Sequence, residues 1–301
     1  MYMKTILSLD GGGMKGYLSC ALLVELEKRT GLPCHKMFDM VAGTSIGGIM
    51  AALIATGKSA TDVLKFFTED GPVIFGKQQM FSFNGVFRPR YAGAPIERCL
   101  QNRFGKLSLA DCKLKLLVPS FDLVTYDPFF FKAPPAGADY PLWQVARATS
   151  AAQSYFPAFR LEDRILWDGG NVANNPALCA WAEALKMWGD EPIRVVSVGC
   201  GTSESKVEPL KLINAGIAKI GVETVGLLFD ANDDLPDYVL YQCLEEGAYF
   251  RAQPRPTHNL AIDGADPHSL EILRQEALKF ISDEDRFLQS VSCAVGTGDR
   301  T

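Results

Sequence analysis

Apolar and polar positions change rhythm repeatedly along this chain. Lys4 to Leu9 is a β-rich alternating run and predicts a first strand. From Tyr17 to Arg29 the apolar positions 18, 22, 23 and 26 fall at helical spacing. Phe38 to Ala42 is a short apolar run that reads as a buried strand, and Ile46 to Gly57 reads as a helix. Ser59, with Asp62 three residues on, predicts the N-cap of a helix to about Glu69. Helices are also predicted over Pro95–Phe104, Pro141–Ala152 and Ala177–Trp188, the last with Pro176 at its start. Strands are predicted over Leu114–Val118, Pro128–Lys132, Ile165–Trp167 and Ile193–Val198. Such alternation of strands and helices predicts an α/β architecture with a mostly parallel sheet.

Two stretches fit this rhythm poorly. Gly71 to Ala92 is long and irregular, with Phe75, Phe81, Phe83 and Phe87 among Arg88 and Arg90. A loop of that length in a compact domain is usually functional. Its aromatics suit either a lipid surface or a cover for the core. Beyond Thr202, the patterns over Leu210–Ala231, Pro236–Ala248 and Ser269–Ser282 read as helices, with a short strand near Asn259–Ile262. No convincing linker splits the chain, so residues 1–301 are predicted as one domain, with 202–301 a mainly helical part packed back on the α/β layer.

Composition narrows the function classes. The chain has 301 residues, 48% hydrophobic and 22% charged, which suits a well-buried globular protein. A net charge of −5 argues against a nucleic-acid-binding surface. The eight cysteines include no C-x-x-C pair, so buried thiols in a reducing cytoplasm are expected rather than a disulfide framework or zinc site. The N-terminus runs directly into a strand with no secretory signal pattern, and Leu210–Phe229 is interrupted by Lys211, Lys219 and Glu223, so no spanning helix is predicted. Asp230, Asp233, Asp234 and Asp237 lack the calcium-loop pattern and read as a solvated acidic turn. Neither a metal nor a cofactor is called for.

Three strand ends carry the candidate chemistry. Gly43-Thr44-Ser45-Ile46-Gly47 lies between a strand and a helix, the nucleophile-elbow pattern. A serine on so sharp a turn needs neighbours at −2 and +2 without side chains, and its hydroxyl stands over a helix N-terminus that favours negative charge. Asp10-Gly11-Gly12-Gly13-Met14-Lys15-Gly16 joins the first strand to the first helix. Such a loop either cradles a phosphate or offers backbone N–H groups as an oxyanion hole. The next strand ends in Gly-Thr-Ser rather than in an acidic residue, which favours the oxyanion role. Asp168-Gly169-Gly170 follows a strand, and its carboxylate can accept the Ser45 proton directly as a two-residue dyad. Of the three histidines, His35 precedes the serine's own strand. His258 and His268 follow Asp168 in the order of an α/β-hydrolase triad but lie in no strand-end motif.

The set Asp10–Gly16, Gly43–Gly47 and Asp168–Gly170, with Ala148–Pro157 and Asn174-Asn175-Pro176, resembles the patatin-like phospholipases over residues 4–201. The resemblance implies a three-layer sandwich and a phospholipase A-type acyl hydrolase. Ser45 is then the nucleophile and Asp168 the base, while the Gly11, Gly12 and Gly13 amides hold the oxyanion. Lys15 stands where the family commonly has arginine, keeping the charge as a candidate phosphate or oxyanion support but losing the planar fork. Gln153 replaces a frequent proline. Implied partners are a phospholipid membrane surface, docked from the cytoplasm, and, as open readings, a cyclic-nucleotide activator of an antiphage effector and a second copy of the chain. A Ser–Asp–His esterase using His258 or His268 on soluble esters, and a storage or binding protein with residual hydrolysis, remain the competing readings.

Overall fold

The computed structural model describes residues 3–80, 82, 85, 88–201 and 234–296. Its centre is an eight-stranded sheet: β1 (Lys4–Leu9), β2 (Met40–Gly43), β3 (Lys115–Asp122), β4 (Asp127–Ala133), β5 (Phe159–Leu161), β6 (Arg164–Trp167), β7 (Ile193–Val198) and β8 (Tyr249–Ala252). The strand order is β5-β6-β3-β2-β1-β7-β8, with β4 added on β3. β3, β2, β1, β7 and β8 run parallel, whereas β4 and β6 pair antiparallel with β3, and β5 with β6.

The strand period of two decides which layer each side chain joins. Leu7, Leu9, Val41, Leu116, Val118, Val196 and Val198 face one core. That core is covered by α1 (Gly16–Thr30), α3 (Ile46–Ala55), α4 (Ala60–Lys65), α6 (Gly93–Phe104), α7 (Leu142–Thr149), α11 (Pro267–Asp283) and α12 (Asp285–Gly296). Ile6, Met40, Ala42, Leu117, Ile193 and Val195 face the other, against Ala177, Ala180 and Ala184 of α9 (Ala177–Trp188) and Leu240 of α10 (234–243). The two shorter helices that matter below are α5 (Gly71–Phe75) and α8 (Gly170–Ala173); α2 (Cys34–Met37) leads into β2. The architecture is therefore the expected one: a mixed, mostly parallel sheet with helices on both sides and a mainly helical C-terminal part among the described residues.

One topological detail builds the site. β4 runs along one edge of β3, so β2 and β6 must both use the other edge. β2 takes Lys115–Leu117 and β6, running the opposite way, takes Phe121 and Asp122. The two strands thus point at each other end to end, and the residues that follow them, Ser45 and Asp168, meet in the gap.

Several sequence expectations need correction. The Gly71–Ala92 stretch begins with α5, preceded by a wide π-type turn at Phe66–Asp70, and its Phe75 packs on the core. Phe81, Phe83 and Phe87 lie outside the described residues, as does Leu210–Ala231. The C-terminal strand is Tyr249–Ala252, not Asn259–Ile262, which is irregular here. Helix α12 and strand β5 were not predicted. Asp237 is no solvated turn residue: it pairs with Arg251 and accepts from Asn175 Nδ2 at 3.1 Å. Among the described residues, no helix is long and apolar enough to cross a membrane.

Candidate active site

Ser45 occupies the turn between β2 and α3 with φ 54° and ψ −122°, a conformation that L-residues rarely adopt. Its neighbours explain how the turn is held. A Cβ on Gly43 would run into the Gly47 carbonyl, and one on Gly47 into the Leu9 and Asp10 carbonyls. The Ser45 N–H donates to Thr149 Oγ1 at 3.0 Å, and that hydroxyl donates onward to the Pro119 carbonyl at 2.7 Å. The Thr44 hydroxyl donates to the Ala173 carbonyl at 2.6 Å, tying the elbow to α8.

The Ser45 hydroxyl donates to Asp168 Oδ2 at 2.8 Å. Asp168 Oδ1 accepts the Gly170 N–H at 2.8 Å, so both carboxylate oxygens are oriented. Glycine at 169 is required by crowding, because a Cβ there would strike the Pro119 carbonyl. Asp168 is only 3% exposed, and burial pushes its pKa up to about 6, against the pull of the Gly170 N–H, the Ser45 hydroxyl and the Arg147 guanidinium. Arg147 is itself buried in α7, where it donates to the Pro157 carbonyl at 2.8 Å and pairs with Glu97 at 3.2 Å.

The glycine-rich loop lies beside the elbow. The three amides expected to serve together are not equivalent. The Gly11 N–H is already taken by the Asn174 carbonyl at 3.1 Å, so Gly11 is not an available donor. The Gly12 and Gly13 N–H groups have no acceptor among the described residues. Gly13 sits at φ 56°, and a Cβ there would meet Ile262; at Gly12 it would meet Cys200. Lys15 Nζ donates to the Gly201 carbonyl at 3.0 Å and ties the loop to the segment after β7.

Ser45 opens on a cleft with an apolar lining. Ile46 and Ile49 of α3, Phe66, Ile74, Ile96 and Phe156 form most of the wall, and Ile262 closes one side. The histidines stand apart. His258 Nδ1 pairs with Glu276 of α11, and His268 lies in the first turn of α11, beside its cap Asp266; neither bonds to Ser45 or Asp168. Among the described residues, no cluster of three or more His, Cys, Asp or Glu side chains has metal-site geometry.

The motifs thus pointed to Ser45, Asp168 and the glycine-rich loop, and the structure brings Ser45 and Asp168 within hydrogen-bond distance. Missing from that reading were Thr149 and Asn174, which hold the Ser45 and Gly11 amides, and Arg147, whose charge acts on Asp168, although Thr149 and Asn174 lie within the stretches that carried the resemblance. Arg251, which grips Asp10, lies 241 residues away and had no local pattern to mark it.

A family model described as patatin-like phospholipase matches residues 7–181. The chain is 33% identical to a probable inactive patatin-like protein 9 of Arabidopsis thaliana, covering 91% of this chain and 79% of that one. Two bacterial relatives are cGAMP-activated phospholipases. That of Vibrio cholerae is 35% identical over 70% of this chain and 63% of its own length; that of Pseudomonas aeruginosa is 30% identical over 86% and 80%. Among solved structures, VipD from Legionella pneumophila superposes with a TM-score of 0.50 over 96% of this chain and 67% of that one. At 13% identity that likeness speaks for the fold alone.

Proposed function

Since the chain belongs to the patatin-like phospholipase family and its phospholipase relatives mark it as a hydrolase acting on ester bonds, we propose that it cleaves acyl esters of membrane phospholipids through Ser45 and Asp168. The observation that carries this reading is the 2.8 Å hydrogen bond to the buried Asp168 carboxylate from Ser45 Oγ, which lines an apolar cleft. Asp168 takes the hydroxyl proton as Ser45 Oγ attacks the ester carbonyl. The carbonyl oxygen becomes an oxyanion beside the Gly12 and Gly13 amides and the N-terminus of α3. The lysolipid leaves as an alcohol, taking the proton back from Asp168. Water, deprotonated by the same carboxylate, then hydrolyses the acyl-enzyme and frees Ser45. The acyl chain lies along Ile49, Phe66, Ile74 and Phe156, where burying its methylenes contributes about 0.8 kcal/mol each. Val73 and Met80, 56% and 75% exposed on and just after the helix that supplies Ile74 to the cleft, favour docking of this mouth on a bilayer.

A Ser–Asp–His esterase is disfavoured by the positions of His258 and His268 described above. The names of the two bacterial relatives favour a second reading of regulation: hydrolysis gated by a cyclic dinucleotide such as cGAMP, and with it an effector role in antiphage defence.

The test is fatty-acid release from mixed phospholipid vesicles, with and without cGAMP, by the wild type and Ser45→Ala. Wild-type release should fall by roughly six orders of magnitude in Ser45→Ala. Release only with cGAMP identifies a gated enzyme. Absence of release in both conditions, or equal release by both proteins, refutes the proposal.

A further inference from the structure

Glycines have no side chains by which to be held, so the amides of Gly12 and Gly13 point where neighbouring groups force them. Three anchors are hydrogen bonds: the Asn174 carbonyl on the Gly11 N–H, the Ile262 carbonyl on the Met14 N–H at 2.8 Å, and the Gly201 carbonyl on Lys15. The fourth is electrostatic and comes from the far side of the sheet. Asp10, the residue that follows β1 and starts the loop, has a side chain only 1% exposed. Its carboxylate is gripped on both oxygens by Arg251 of β8: Nη1 donates to Oδ1 at 3.0 Å and Nη2 to Oδ2 at 2.6 Å.

Register explains how a residue two strands away reaches it. Ser8 pairs with Ser197 and Ser197 with Arg251, so the three side chains share one face of β1, β7 and β8. Asp10, two residues beyond Ser8, falls on the same face. Arg251 is 6% exposed and almost wholly committed. Besides Asp10 it donates to Ser197 Oγ at 2.8 Å and Gln253 Oε1 at 3.2 Å, and its Nε lies 3.1 Å from Asp237 Oδ2, close enough for an ion pair though not aligned for a hydrogen bond. Asp237 in turn accepts from Tyr249 and from Asn175, the neighbour of the residue that holds Gly11. A planar fork meets both Asp10 oxygens at once, which a lysine ammonium cannot do.

We propose that Arg251, from a strand outside the 7–181 match, is a positioning residue for ester hydrolysis: through Asp10 it sets the direction of the Gly12 and Gly13 amides, and so affects the transition state rather than substrate binding. The inference rests on the reading that these amides hold the oxyanion, and it gives the C-terminal part of the chain a place in the catalytic centre.

The experiment compares Arg251→Lys, Asp10→Asn and Gly12→Ala with the wild type in the full chain. A soluble nitrophenyl butyrate ester gives kcat and KM, with cGAMP present if the wild type needs it. Reaction with a fluorophosphonate, in which Ser45 Oγ displaces fluoride at phosphorus and its proton passes to Asp168, gives a rate constant independent of turnover. Thermal unfolding reports the folded fraction. Arg251→Lys keeps the buried charge. We expect it to fold, and to lose about tenfold to a hundredfold in kcat and in labelling rate with KM within about twofold. Should it not fold, Asp10→Asn decides alone and is expected to show the same split. Wild-type kcat in a folded Arg251→Lys, while Gly12→Ala is impaired, overturns the positioning role but leaves the oxyanion reading standing. Wild-type kcat in Gly12→Ala removes the oxyanion reading, and the present inference with it. A change confined to KM, or a kcat that merely follows the folded fraction, also overturns it.

Discussion

The Asp168 carboxylate is buried against Ser45, the Gly170 N–H and the field of Arg147, and burial dominates, raising its pKa to about 6. In the proposed role as base it must be ionised to accept a proton, so kcat/KM should rise with pH through about 6 and level off above it, read from a pH–rate profile on a soluble ester. The same shift sets a stability cost. The unfolded carboxylate ionises near 3.8 and the folded one near 6. The term is therefore absent below about pH 4, grows as pH rises between the two values, and is constant above. At about 1.4 kcal/mol per unit it amounts to some 2–3 kcal/mol at neutral pH. Asp168→Asn should accordingly abolish hydrolysis yet raise stability by a value of that order at pH 7.5 and by little at pH 4. Denaturant titrations at the two pH values check this, and equal stability changes at both would refute it.

At the scale of elements, the elbow depends on three pieces of backbone in contact: the end of β1, the end of β2 and the first turn of α3. Gly47 is the point where they touch, since a Cβ there would overlap the Leu9 and Asp10 carbonyls. Backbone cannot yield as a flexible side chain does. Gly47→Ala should destabilise the protein by about 1–3 kcal/mol and cut fluorophosphonate labelling of Ser45 by about a hundredfold. Labelling at the wild-type rate would show that the contact is slack. Elements with a strong local pattern were legible. α3 was read as Ile46–Gly57 and ends at Ala55; all ten of its residues are buried, which gives the continuous apolar run. β8 was not legible. Its Tyr249-Phe250-Arg251-Ala252 has no alternation, because its one arginine points inward to a buried partner. α5 was hidden by its glycine and proline, which stand at the helix start where proline is tolerated.

Across the whole molecule, the segment between β8 and α11 returns over the cleft and is latched to the far wall. Asp263 accepts from Arg90 Nη1 at 2.6 Å and from the Tyr91 hydroxyl at 2.8 Å, and Arg90 stacks on the Tyr155 ring. The neighbouring Ile262 closes the apolar cleft and takes the Met14 N–H. Asp263→Ala leaves a largely buried guanidinium and hydroxyl unpaired, and should destabilise by about 1–3 kcal/mol. With Ile262 no longer pinned, the ratio of kcat/KM for long over short acyl esters should fall. An unchanged ratio would separate the latch from chain selection.

The sequence by itself determined the chemistry-bearing strand ends, since glycine, serine and aspartate at fixed spacing leave a turn few other conformations. It determined the α/β class through its alternating periods, and the resemblance to a family through the combination of motifs. Only the tertiary structure decided which groups lie together. β2 and β6 approach along the same edge of β3, and this brings residues 45 and 168 within hydrogen-bond reach. The folded loop also spends the Gly11 amide on Asn174, leaving Gly12 and Gly13. Asp10 meets Arg251 across three strands. Local periodicity reports what each segment buries; it carries no record of which distant partner supplies a hydrogen bond or a countercharge, because that is fixed by strand order and register.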